Sequence, residues 1–146
     1  MIKKINYKKG KRFNFGTHLN EFLIPRERTE SSETFLVIIH PNKSTHLHKH
    51  PDMEQIFFVV KGRGVLRTKT DSKGTVKKQC EMKIGDIIFI PTGHWHQISC
   101  VSKTRLEYLC FNAFPGGHLS GESTAIAHAK NVVKSEKEKK RKNKKR

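Results

Sequence analysis

The stretch that most constrains the fold covers residues 46–62 and reads HLHKHPDMEQIFFVVKG. Histidines occupy the alternate positions 46, 48 and 50, ahead of a β-prone apolar run that ends at a glycine. Since successive side chains of a strand point to opposite faces, the three imidazoles are predicted to project the same way. Imidazoles that converge from one face suit a borderline divalent metal ion, which needs at least one further ligand from elsewhere in the chain.

A second stretch, residues 85–96 with the sequence GDIIFIPTGHWH, offers that ligand at His96. Together the two stretches resemble the paired motifs of the cupin superfamily, G-x5-H-x-H-x(3,4)-E-x6-G and G-x5-P-x-G-x2-H-x3-N. With the longer spacer, the resemblance aligns His48, His50 and Gln55 with the family's metal ligands. The second motif matches, in order and in spacing, at Gly85, Pro91, Gly93 and His96.

The sequence departs from the family pattern at three positions. Gln55 stands where the family has a glutamate, unless the shorter spacer makes Glu54 the ligand instead. Asn42 replaces the opening glycine of the first motif, and Cys100 replaces the closing asparagine of the second. The resemblance covers roughly residues 34–112 and is carried by the histidines and the glycine–proline frame around them.

The pattern of the whole chain favours one all-β domain. Short apolar runs separated by turn residues are typical of a sandwich or barrel, and residues 34–39 are predicted to form a strand buried on both faces. The resemblance implies an antiparallel double-stranded β-helix, the jelly-roll or cupin barrel, and commonly a homodimer. We expect residues 1–30 to form an N-terminal arm and edge strands, residues 31–118 the barrel, and residues 119–146 a short helix with a lysine-rich, basic tail.

Gln55 decides the charge of the predicted metal site. Three neutral imidazoles and a carboxylate leave a divalent ion with a net charge of +1, whereas three imidazoles and an amide leave +2. The amide oxygen is the weaker donor, so the bound metal is expected to be the stronger Lewis acid. Two alternatives are that Glu54 replaces Gln55, and that the site has three histidines with open positions. The metal is expected to be iron, nickel, manganese, copper or zinc.

Two further histidines and an apolar wall complete the predicted pocket. His46 and His94 each stand two residues from a proposed ligand, and histidines carry protons near neutral pH. We predict both as catalytic residues; the alternatives are that they only line the pocket mouth or that they replace a metal ligand. The predicted wall consists of Phe57, Val59, Ile88 and Trp95.

An open metal position in the cupin superfamily serves dioxygenases, isomerases, decarboxylases and epimerases, and it also serves non-catalytic binding members. We therefore predict a small metalloenzyme, oxygenase- or isomerase-like, that acts on a small organic substrate. The alternatives are a non-catalytic sensor that binds a metal or a small ligand, and a cupin tethered to nucleic acid.

The last alternative arises from the charge, which is +17 overall and concentrated at the ends. Residues 130–146 carry ten basic and two acidic side chains. Contact of residues 134–146 with nucleic-acid phosphates would be non-specific, and residues 139–146 resemble a nuclear-localisation signal. The simplest alternative interpretation is that residues 134–146 form a solubilising tail.

The sequence contains no apolar run of membrane-spanning length, and its first residues are followed by polar sequence. We therefore expect no signal peptide and a cytoplasmic protein without membrane contact. Its three cysteines, Cys80, Cys100 and Cys110, lack C-x-x-C spacing. They are predicted to be reduced and buried.

Overall fold

The structure is a computed structural model and describes residues 2–69 and 76–117. Within this part of the chain the secondary structure is almost entirely β, and every strand pair is antiparallel. The strands are β1 (Lys11–Asn14), β2 (Leu19–Ile24), β3 (Ser32–Ile39), β4 (Glu54–Lys61), β5 (Gly64–Lys69), β6 (Val76–Met82), β7 (Ile87–Ile90), β8 (Trp95–Cys100) and β9 (Leu106–Ala113). One short 3-10 helix, Arg26–Arg28, follows β2.

The strands form two sheets. The larger has six strands in the order β1-β2-β3-β9-β4-β7, and the smaller has three in the order β6-β5-β8. Strands distant in sequence lie side by side, since β9 pairs with both β3 and β4. This arrangement confirms the predicted all-β, antiparallel jelly-roll barrel.

Strand β3 lies inside the six-stranded sheet and is buried on both faces from Phe35 onward, as predicted from its continuous apolar sequence. Phe35, Val37 and Ile39 face the hydrophobic core, where they pack with residues of both sheets. The larger of these partners are Phe57, Val59, Leu66, Met82, Ile98, Leu106 and Tyr108. Several of these core side chains, among them Phe35, Val37 and Phe57, also line a cavity between the sheets.

Two glycines near the motifs have positive φ angles, a backbone conformation that other residues rarely adopt. Gly93 has a φ of 77°, and its N–H donates to the carbonyl of His50 at 2.7 Å, which ties the second motif to the first. Gly62 has a φ of 73°, and a Cβ atom there would lie 2.5 Å from the backbone oxygen of Arg105. Both conformations disfavour any residue with a side chain.

Three local predictions are wrong. Residues 46–50 do not form a regular strand: only His48 makes a β-bridge there, to His96. The isoleucines and lysines of residues 2–7 predict a short edge strand, but the structure has none there and β1 begins at Lys11. Cys80 is exposed, whereas Cys100 and Cys110 are buried, and all three are free thiols.

The predicted C-terminal helix and basic tail, with the nucleic-acid contact at residues 134–146 and the signal at residues 139–146, lie outside the described residues. No helix in the described part of the chain is long and apolar enough to cross a membrane.

Candidate metal centre

His48 and His96 are held side by side by the backbone. The N–H of His48 donates to the carbonyl of His96 at 3.1 Å, and the N–H of His96 donates to the carbonyl of His48 at 2.8 Å. This reciprocal pair joins the irregular first motif to strand β8. Directly opposed residues of an antiparallel pair present their side chains on the same face, and the two ring centroids lie 4.3 Å apart.

His50 completes a cluster of three. Its ring centroid is 4.9 Å from that of His48 and 5.7 Å from that of His96. One ring nitrogen from each histidine lies within 4.8 Å of the other two. Three ligand atoms at this separation can coordinate one ion placed between them, since zinc–nitrogen bonds are about 2.0–2.1 Å long.

Backbone carbonyls determine which ring nitrogen of His48 and of His96 is available to a metal ion. Nδ1 of His48 lies 2.7 Å from the carbonyl of His46, and Nδ1 of His96 lies 2.8 Å from the carbonyl of His94. Because a carbonyl oxygen only accepts, each Nδ1 carries the proton. In a neutral ring, Nε2 then keeps its lone pair, as a metal ligand must.

His96 is also held neutral by its surroundings. Its side chain is buried, and burial, followed by the charge of His48, lowers the pKa of His96 from 6.5 to about 4. At neutral pH the imidazole is therefore unprotonated at one nitrogen and can bind a metal without first losing a proton.

Gln55 is positioned by a chain of hydrogen bonds that crosses three neighbouring strands. It pairs with Asn112 of β9, which pairs with Glu33 of β3. Asn112 Nδ2 donates to Glu33 Oε1 at 2.7 Å, and Gln55 Nε2 donates to Asn112 Oδ1 at 2.9 Å. Because the Asn112 amide directs its nitrogen to Glu33, its oxygen faces Gln55 and accepts the hydrogen bond from Gln55 Nε2.

Because the hydrogen bond to Asn112 uses the amide nitrogen of Gln55, the amide oxygen, Oε1, remains without a donor. Gln55 is 5% exposed, and its Oε1 has no hydrogen-bond partner. A buried amide oxygen without a donor is destabilising, and a cation is one partner that would satisfy it. Gln55 lines the same cavity as the three histidines, and imidazole nitrogens and an amide oxygen are donor types that suit a divalent transition metal. Glu54 lies on the opposite face of β4, because side chains alternate along that strand.

The histidine cluster opens into a cavity of about 480 Å³. The cavity is large enough for a small organic molecule, since ligand pockets span roughly 300–1,000 Å³. Phe57, predicted as a pocket residue, lines it, as do Gln55 and the three histidines. Its ionisable walls include Arg26 and Lys49, which are cationic, and Glu33 and Asp52, which are acidic.

The remaining predicted site residues lie in different places. His46 is exposed and lines the cavity, whereas His94 is exposed, lies outside the described lining and places its Nδ1 3.1 Å from the carbonyl of Thr92. The other three predicted wall residues also lie outside that lining. Val59 is in the core, Ile88 packs against the core, and Trp95 lies beneath the Lys49 ammonium.

The sequence motifs did not indicate several cavity residues that precede residue 35. These are His18, Asn20, Arg26 and Glu33. A signal for Glu33 existed, because it continues the alternation of Phe35, Val37 and Ile39 along β3 and so had to face inward. Burial raises the pKa of Glu33, although the hydrogen bond from Asn112 and the charge of Arg26 oppose that effect.

Arg26 is held rigidly at the cavity wall. The side chain is 6% exposed, its guanidinium carbon lies 3.9 Å from the centre of the Phe114 ring, and Nη2 lies 3.5 Å from Asp52 Oδ2. A guanidinium stacked on an aromatic face is oriented before any ligand arrives. It can therefore contribute a fixed positive charge to the cavity.

Comparison with known proteins agrees with this geometry. The cupin domain family matches residues 35–112. An uncharacterized protein of Methanocaldococcus jannaschii is 32% identical over 104 residues, which make up 70% of this chain and 78% of that protein. An oxalate-binding protein of Thermotoga maritima is 32% identical over 69 residues. That match covers 47% of this chain and 51% of the relative, so it spans about half of the relative's length.

Among solved structures, a protein with a double-stranded β-helix domain from Klebsiella pneumoniae superposes with a TM-score of 0.65. The superposition covers 81% of this chain and 95% of that one, at 15% sequence identity. At this identity the likeness concerns the fold alone.

Proposed function

This chain belongs to the cupin family, and we propose that it is a small metal-dependent enzyme, oxygenase- or isomerase-like, that acts on a small organic acid. A divalent transition metal would be held by His48, His50 and His96, with Gln55 Oε1 as the proposed fourth ligand. The observation that carries the proposal is the cluster of three histidine nitrogens within 4.8 Å of one another at the cavity.

The charge of the ligand set favours an anionic substrate. Three neutral imidazoles and one neutral amide leave the +2 charge of the ion uncompensated. The buried cation Arg26 and the exposed cation Lys49 are balanced in number by Glu33 and Asp52. The cavity with its metal therefore carries a net positive charge, which attracts a carboxylate and concentrates it in the site.

When bound, the metal supplies Lewis acidity to a ligand oxygen. The chain's own residues supply the rest. His46, which lines the cavity and is exposed to solvent, is placed to exchange a proton between the ligand and water. The guanidinium of Arg26 is placed to orient a carboxylate, and Phe57 and Phe35 exclude water from the apolar side of the cavity.

A second candidate is a protein that binds a small acid on its metal and does not convert it. The oxalate-binding relative from Thermotoga maritima favours this reading. Both candidates use the same metal site, and they differ only in turnover.

The first experiment measures the metal content of the untagged full-length chain, together with His48→Ala and His96→Ala variants. We expect about one equivalent of a transition metal in the native chain and none in either variant. An equal, low content in all three would reject the metal site. The metal-loaded protein is then incubated aerobically with small organic acids. Metal-dependent product formation supports an enzyme, while binding without product supports the second candidate.

A further inference from the structure

Two buried side-chain oxygens in the described part of the chain have no hydrogen-bond partner, and both belong to residues that line the cavity. One is Gln55 Oε1, which the proposed metal uses. The other is Oδ1 of Asn20, which is 7% exposed. An unsatisfied buried acceptor destabilises the folded state, so its presence in a cavity wall needs an explanation.

The neighbours of Asn20 explain why the oxygen stays unsatisfied. Asn20 lies in β2 opposite Val37 of β3, and Phe22 is the next residue on the same face. Neither side chain can donate a hydrogen bond. Strand alternation directs Asn20 to the inner side of the sheet with Phe22. Asn20 is therefore a polar residue of the cavity wall that lies between two apolar neighbours, Val37 and Phe22.

His18 precedes Asn20 by two residues and lines the same cavity. Its ring is stacked on Phe15, with centroids 4.7 Å apart and planes 10° apart. Its Nδ1 lies 2.9 Å from the hydroxyl oxygen of Thr17. With the ring plane and one nitrogen held in place, the second nitrogen is a further polar atom beside Asn20.

We propose that Asn20, together with His18, forms a subsite of the cavity that binds a hydroxyl group of the ligand. The ligand is accordingly a hydroxylated organic acid, whose carboxylate binds the metal and whose hydroxyl donates to Asn20 Oδ1. Oxalate in its dianionic form has no hydrogen-bond donor and leaves Asn20 unsatisfied. This inference rests on the proposed function, and its residues precede the region matched by the family, residues 35–112.

The first test concerns thermal stability and needs no ligand. Asn20→Leu replaces the amide by an apolar group of similar size, which removes an unsatisfied oxygen. We expect the Tm of the full-length metal-loaded variant to equal that of the native chain or to exceed it by roughly 3–6 °C. A fall in Tm overturns the inference, because it means that the amide serves the fold.

The second test compares malate with succinate, two dicarboxylates that differ by one hydroxyl group. Zinc-loaded native protein is titrated with each by calorimetry. We expect malate to bind about tenfold more tightly, since a site built to bond a hydroxyl disfavours an analogue without it. In Asn20→Leu the two acids are expected to bind equally, while Asn20→Asp, which keeps an acceptor oxygen, retains the preference for malate.

The outcomes separate this inference from the proposed function. Zinc binding and acid binding without any preference for malate in the native chain overturn the Asn20 subsite and leave the metal site intact. A preference for malate that survives in Asn20→Leu also overturns it. Failure of the native chain to retain zinc overturns the proposed function, and the subsite with it.

Discussion

In most proteins polar side chains are exposed and large apolar side chains are buried. The two faces of the six-stranded sheet break this rule in opposite ways. The inner face buries polar side chains, namely Asn20, Glu33, Gln55 and Asn112, each at most 7% exposed. The outer face of β4, β7 and β9 leaves large apolar side chains in solvent. These are Ile56, Phe58, Ile87, Phe89 and Phe111, between 38% and 72% exposed.

Strand register makes both groups contiguous. Gln55 and Asn112 are direct partners, and so are Asn112 and Glu33. On the outer face, Ile56 stands opposite both Phe89 and Phe111. Buried polar groups and exposed apolar patches are each unfavourable for an isolated chain, and each commonly marks a binding surface. We therefore expect a polar ligand inside the cavity and an apolar partner surface against the outer face.

The largest expected effect is the loss of the metal from the inner face. In His96→Ala, affinity for zinc should fall at least about a thousandfold, because one of the three imidazole ligands is gone. His94→Ala is the matched control, since His94 lies only two residues before His96 but outside the described cavity lining. Metal titration with a chromophoric chelator measures both, and equal losses in the two variants would contradict the assignment of His96.

A smaller effect is expected from the hydrogen-bond chain that orients Gln55. Asn112→Ala removes the acceptor that holds Gln55 Nε2 at 2.9 Å, so Gln55 Oε1 is no longer directed. Zinc affinity should fall by about 10–100-fold, as for other residues that orient a ligand.

The control is a double-mutant cycle with Gln55→Ala. If Asn112 acts through Gln55, adding Asn112→Ala to Gln55→Ala should leave the zinc affinity of that variant unchanged. Additive losses would show that Asn112 affects the metal by another route.

The outer face should give the smallest effect. The homodimer expected from the cupin resemblance would cover this apolar patch, which includes the edge strand β7. Phe89→Glu places a charge within it and should weaken self-association at least about tenfold. Light scattering across a dilution series measures the change, and Lys78→Glu on an exposed position of β6 is the control. A native chain that is monomeric at every concentration would contradict the prediction.

The all-β class, the buried strand β3, the turn at Gly93 and the clustering of His48, His50 and His96 were all predictable from the sequence. Each depends on local periodicity or on motif spacing, which backbone geometry converts directly into side-chain direction. The first motif nevertheless brings its histidines together without forming a regular strand, because the bridge to His96 and the bond from Gly93 hold it.

Only the tertiary structure decided which residues share the cavity. His46 and His94 are equivalent by spacing, yet one lines the cavity and the other does not. Asn20 and Arg26 enter it because β2 pairs with β3 and brings the N-terminal segment to the inner face. Strand order and register depend on contacts between residues far apart in sequence, and local periodicity carries no information about those contacts.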